Sequence, residues 1–258
     1  MNSQVVAGVD WAGSGWLAVF FKNGSYDGYA FETTFEDLWG DDEDPALALV
    51  DVPIGLPEDT QSLTTREELD SLARAVTERS SSVFPVPSRG ACEIAYDDAS
   101  YEEVVELNER DLDKGLTYQS YYIAAGIGEV DDFLRQNDSA NQWLIESHPE
   151  VCFRALLERP LEYQKDSSPG VGERLKALET LIDCPGRTLQ QITVEIQDGG
   201  SEADLDEISI DDVLDAVVLG VTATKGKEGL EYLPEKWECD SRETPIRMAY
   251  WGEEPLIH

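Results

Sequence analysis

The stretch Gln4-Val5-Val6-Ala7-Gly8-Val9-Asp10-Trp11-Ala12-Gly13-Ser14-Gly15-Trp16-Leu17-Ala18-Val19-Phe20-Phe21 decides the fold. Two apolar runs flank a Gly/Ser-rich turn, which is the pattern of a β-hairpin. Residues 4–10 and 15–22 are therefore read as paired strands. Asp10 stands at the end of the first run. A carboxylate at the tip of a buried strand is costly unless a metal ion or a hydrogen-bond network compensates it. It can also simply cap the turn through its own backbone.

Outward from the hairpin, Asn23-Gly24 is a strong turn signal, and 25–31 reads as a third strand. Thr33 to Trp39 has the look of a short capped helix. Ala46-Leu47-Ala48-Leu49-Val50 is a continuous apolar run of the kind a buried parallel strand shows. It ends at Asp51, and Val52-Pro53-Ile54-Gly55-Leu56-Pro57 then stops the strand. The opening pattern is thus repeated, with an acid where the chain leaves the sheet.

Helices are expected over 65–79, 100–110, 119–136, 151–157, 171–183 and 210–225, from apolar residues at helical spacing. Gln142 to Ile145 reads as a short strand ending at Glu146. Residues 188–207 are ambiguous, and 230–251 has room for one or two short strands. No internal repeat or long linker stands out. One domain over 1–258 is expected, with a helical insertion at about 60–140 and a tail from about 227.

The chain has 258 residues, with 54 acidic against 19 basic side chains and a net charge of −35. The acids recur throughout, at Asp41 to Asp44, Asp131-Asp132, Glu202 to Glu207 and Asp211-Asp212. Such a charge repels itself at low ionic strength, whereas in molar salt the Debye length falls to roughly 3 Å and screens it. The charge is read as adaptation to a salt-rich cytoplasm, and it disfavours non-specific nucleic-acid binding, which needs a basic patch.

The four cysteines, Cys92, Cys152, Cys184 and Cys239, form no Cys-x-x-Cys motif, and two histidines are too few for a zinc constellation. Without a basic leader or an apolar run of spanning length, a cytoplasmic protein with no membrane association is expected.

Four acids stand apart from the exposed clusters. Asp10, Asp51 and Glu146 follow apolar strands, and Asp212 or Asp215 lies on the amphipathic helix after Ile210. In open α/β sheets, ligand sites form beyond the carboxyl ends of the strands. If these ends converge, hard oxygen donors favour Mg²⁺ or Mn²⁺, and two such ions roughly 4 Å apart suit phosphodiester hydrolysis. For Asp211 and Asp212, a helix-cap or dipole role is the simpler assignment.

His148, two residues from Glu146, is a candidate general base or proton carrier, or a histidine bonded within its own turn. The proline-rich 80–89 loop offers Ser81, Ser82 and Arg89 to an anion, or is a packed connector. Arg66, Arg74, Arg79 and Arg174 are the other candidate phosphate contacts. Ser14 lacks the context of a nucleophile.

In order along the chain, several blocks resemble the DUF429 family of predicted nucleases with an RNase H-like fold. They are Gly8-Val9-Asp10-Trp11-Ala12-Gly13 with Trp16, then Asp51-Val52-Pro53-Ile54-Gly55-Leu56-Pro57, and Ser81 to Arg89. They continue with Gln119-Ser120-Tyr121-Tyr122-Ile123, Glu146-Ser147-His148-Pro149-Glu150 and Asp211-Asp212-Val213-Leu214-Asp215-Ala216. The resemblance implies an α/β fold with a mixed sheet that opens with antiparallel hairpins and continues with parallel strands, flanked by helices. It also implies a site drawn from Asp10, Asp51, Glu146 and Asp215 or Asp212, acting with Mg²⁺ or Mn²⁺ on a nucleic acid or nucleotide. Two other readings are a non-catalytic binding module on the same fold and a nucleotide-phosphate-binding protein of the related actin-like fold.

Overall fold

In the computed structural model the described residues are 4–13, 15–39, 44–78, 83–199 and 208–257. Ser14, Arg79, Ser81, Ser82 and the acidic stretches 41–43 and 202–207 lie outside them.

The opening hairpin is formed by β1 (Val5–Ala12) and β2 (Gly15–Lys22), paired without a break from Val5↔Lys22 to Ala12↔Gly15. A Gly follows β1 because position 13 takes φ 68, a conformation that disfavours a side chain. β2 turns through Asn23 (φ 52) and Gly24 (φ 77) into β3 (Ser25–Glu32), which fits the expected turn signal. β4 (Leu47–Val50) then lies parallel to β1, and β5 (Leu144–Glu146) lies parallel to β4. The sheet order is β3-β2-β1-β4-β5. It is the mixed, antiparallel-then-parallel sheet expected of an RNase H-like α/β fold. A separate two-stranded sheet pairs β6 (Glu231–Leu233) with β7 (Met248–Tyr250).

Eight helices are found among the described residues. They are α1 (Thr60–Thr77), α2 (Arg89–Tyr96), α3 (Tyr101–Leu112), α4 (Tyr118–Gln136), α5 (Pro149–Leu157), α6 (Ser168–Leu178), α7 (Pro185–Gly199) and α8 (Ile210–Ala223). None is long and apolar enough to cross a membrane. Most match the periodicity of the sequence. α1 begins five residues before its apolar pattern, because Asp59 and Ser62 form a capping box there. α2 has no counterpart in the sequence reading. It is one short run after the prolines, started by the Ser88 hydroxyl, which accepts from Ala91 N–H at 3.1 Å. The region 33–39 contributes only a single 3-10 turn, Glu36–Leu38. Of the 188–207 stretch that is ambiguous in sequence, α7 covers the described part up to Gly199.

The chain divides into two compact units. The first comprises Met1–Asp51, Trp143–Glu231 and Ala249–His258, and it holds the five-stranded sheet with α5 to α8. Its tightest junction is β1 against α8. A Cβ added to Gly8 would stand 2.1 Å from both Ala216 O and Gly220 N, so strand and helix meet backbone to backbone. Because side chains alternate across a strand, Gly8 and Asp10 share the face that α8 covers. The other face carries a chain of edge-on aromatic contacts, Trp11–Trp16–Phe35–Trp39–Trp143, with centroids 4.8 to 5.4 Å apart.

The second unit comprises Val52–Gln142 and Tyr232–Met248, with α1 to α4. α2 and α4 are drawn together at Gly128, where a Cβ would come within 2.3 Å of Cys92 O. Arg66 is buried and pairs with Asp70 one turn on. Arg89, 2 % exposed, gathers Asp240, Asp131 and Glu58, the last two at 3.3 Å. Burying a guanidinium is tolerable only with such partners.

Candidate functional site

The sheet register determines which acids meet. Val9 is level with Val50, so Asp10 and Asp51 are level one residue further on and leave the sheet on the same face. The ladder continues to that point, since Asp51 N–H donates to Val9 O at 3.0 Å. On that face lies α8, brought to β1 by Gly8 and Gly220. Asp215 is the residue before Ala216, whose carbonyl faces Gly8, so the same close approach delivers its carboxylate to Asp10 and Asp51. Three acids from distant parts of the sequence are thus brought together in the first unit.

The electrostatics record the crowding. Burial pushes the Asp10 carboxyl well above the usual carboxylate range, and the charges of Asp215, Asp51 and Asp212 push it further. Burial likewise raises Asp51, with the neighbouring His148 and the Lys165 ammonium opposing the rise. Asp215 is raised by burial to about 7, with Lys165 opposing and Asp51 adding to the rise. Asp215 is 4 % exposed. One of its oxygens, Oδ1, has no hydrogen-bond partner among the described residues. A buried, orphaned carboxylate oxygen is expensive and calls for a partner.

Three further groups complete the surroundings; the sequence assigns no site role to Lys165 or Glu150, and it offers Arg174 as a phosphate contact. Lys165, from the loop before α6, places Nζ 3.0 Å from Asp215 Oδ2 and 3.0 Å from Asp211 Oδ2. Burial works against its charge, but Asp215, Asp10 and Asp211 keep the ammonium protonated well above the usual lysine range. Glu150, on the first turn of α5, adds negative potential at both Asp51 and Asp215. Arg174 of α6, fully buried, pairs with Glu150 and lies over the Phe153 ring at 5.4 Å. The signal for Glu150 was present in the Glu-Ser-His-Pro-Glu block. Lys165 lies in an aperiodic loop and carries no such signal.

The remaining expected residues fall as follows. Glu146 pairs with Val50, level with Val9, so the register directs it to the face opposite Asp10 and Asp51. It is 2 % exposed. His148 is the N-cap of α5, where Nδ1 accepts from Glu150 N–H at 3.1 Å, the local bond considered for it in the sequence. Asp212 closes a capping box with Ser209, accepting from Ser209 N–H at 2.8 Å, so Asp215 is the acid of α8 that enters the cluster. Arg174 and Arg89 are both buried against carboxylates, where the sequence reading had phosphate contacts. Arg89 belongs to the second unit, and Ser81 and Ser82 lie outside the described residues.

The donor set has the chemistry of a hard-cation site: carboxylate oxygens, one of them orphaned, under mutual repulsion. Among the described residues no three His, Cys, Asp or Glu side chains stand at metal-ligand spacing. As arranged, Lys165 supplies the local positive charge.

In comparisons with known proteins, no curated protein and no solved structure matches the chain. A family model described as "Protein of unknown function (DUF429)" matches residues 8–238. The match runs from within β1 past α8 and so takes in every acid of the cluster: the chain belongs to the DUF429 family.

Proposed function

We propose that the Asp10–Asp51–Asp215 cluster binds a divalent cation, Mg²⁺ or Mn²⁺, and that the protein hydrolyses phosphodiester bonds of a nucleic acid or nucleotide. The observation that carries this reading is the convergence of the three carboxylates on one face, with Asp215 Oδ1 lacking a partner. Asp10, Asp51 and Asp215 would hold the ion. When bound, it supplies Lewis-acid stabilisation for charge developing on phosphoryl oxygens. The chain's own groups do the rest. Glu150, held by Arg174, adds to the negative potential that favours a cation. His148, fixed by its cap bond beside Asp51, is placed to carry a proton. Asp212 contributes field, and Glu146 takes no direct part. The distributed charge of −35 fits work in a salt-rich cytoplasm, where screening lets an acidic protein approach a polyanion.

The test is hydrolysis of labelled DNA, RNA, branched junctions and nucleotides in molar KCl with Mg²⁺ or Mn²⁺, comparing wild type with Asp10→Asn. Loss of a carboxylate that would hold the ion should lower the rate by more than about a hundredfold. Equal rates in the two proteins would refute the assignment.

A further inference from the structure

Among the described residues, the two cations beside the acid cluster differ in burial. Arg174 is 0 % exposed, enclosed by Glu150, Phe153 and Gly170 O. The Lys165 side chain is 46 % exposed, and only its tip is engaged, at 3.0 Å from Asp211 Oδ2 and Asp215 Oδ2. It reaches in from the loop before α6, where Ser167 caps the helix and accepts from Gly170 N–H at 3.1 Å. A single ammonium is a poor match for this environment. It satisfies one oxygen each of Asp211 and Asp215, leaves Asp215 Oδ1 orphaned, and offsets one charge where Asp10, Asp51 and Asp215 converge with Asp211 beside them.

We infer that the Lys165 ammonium is a resident counter-cation that exchanges with the divalent ion, holding the cluster together without metal and swinging out to solvent when metal binds. This rests on the metal-site reading above and adds to it a built-in competitor. A flexible four-carbon stem suits the role, since it can withdraw without moving the backbone. Exchange also fits the spacing now seen. With the ammonium between Asp211 and Asp215, no three acids among the described residues stand at metal-ligand spacing. The consequence is a trade: Lys165 stabilises the metal-free protein and weakens metal binding.

The experiment is Mn²⁺ titration calorimetry on the full chain in molar KCl, for wild type, Lys165→Met and Lys165→Arg, with metal-free thermal unfolding of each. Lys165→Met should bind Mn²⁺ roughly tenfold more tightly, because a like charge has left a poorly screened site. It should also melt lower than wild type in chelator. Lys165→Arg, which keeps the charge, should remain near wild type. Independently of any substitution, amine acylation read by mass spectrometry should modify Lys165 of the wild-type protein faster with Mn²⁺ than without. Wild type binding Mn²⁺ with Lys165→Met no tighter, or unchanged acylation of Lys165 on metal addition, would overturn the exchange and leave the metal site standing. No Mn²⁺ binding by wild type or by Lys165→Met would overturn both.

Discussion

Replacing Asp215 by asparagine should make the metal-free protein more stable while removing one ligand of the proposed metal site. The carboxyl is 4 % exposed, and its pKa is about 7 in the folded protein against an ordinary 3.8. At roughly 1.4 kcal/mol per unit, holding it ionised above pH 7 costs the fold about 4 kcal/mol. The sign follows from the direction of the shift. A carboxyl raised on folding stabilises the fold below its unfolded value, and that contribution is lost as pH rises from about 4 through about 7. Asparagine mimics the protonated form and should recover at least half the cost at pH 8. Two kcal/mol is a rise of roughly 4–8 °C in Tm for a chain of this size. At pH 4 the two proteins should melt together. The assay is thermal unfolding in chelator and molar KCl from pH 4 to 8, followed by circular dichroism. If Asp215→Asn melts below wild type at pH 8, the cluster is not strained in the way described. In the expected case, added Mn²⁺ should reverse the order of the two proteins, because only wild type keeps all three carboxylates of the proposed site.

Three more substitutions probe the frame around the cluster. Gly8→Ala should cost about 3 kcal/mol or more in urea unfolding, because its Cβ would meet two backbone atoms at 2.1 Å and must push α8 from β1. Arg174→Met should cost about 3 kcal/mol by removing the guanidinium from buried Glu150, and the Arg174→Met/Glu150→Gln pair should cost less than Arg174→Met alone. Arg89→Met should destabilise the second unit by about 3–5 kcal/mol, seen as faster proteolysis within residues 52–142, since Asp131 and Asp240 would lose their buried guanidinium. Arg89→Lys should not restore it, because one ammonium does not reproduce the guanidinium fork that serves three carboxylates.

The sequence by itself determined the strands, their order of use and two of the three acids. β1, β2 and β4 are apolar runs closed by turn residues, and Asp10 and Asp51 are legible because each interrupts such a run where it leaves the sheet. Periodicity likewise placed α8 but did not choose between Asp212 and Asp215. Both lie near its start, and only the Ser209 cap and the contact of Gly8 with the backbone of α8 separate their roles. Glu146 shows the same limit within a strand. It has the sequence context of Asp10 and Asp51, but side chains alternate, and a register offset of one residue sends it to the other face. Arg89 and Arg174 read as free cations because a sequence does not show which acids fold around them. Lys165 was invisible because a loop residue has no period, and its importance arises only from where the chain returns. Local pattern depends on neighbours a few residues away and is written in order along the chain. The charge balance of the cluster depends on groups brought together from positions 10, 51, 150, 165 and 215, and only the folded backbone sets those distances.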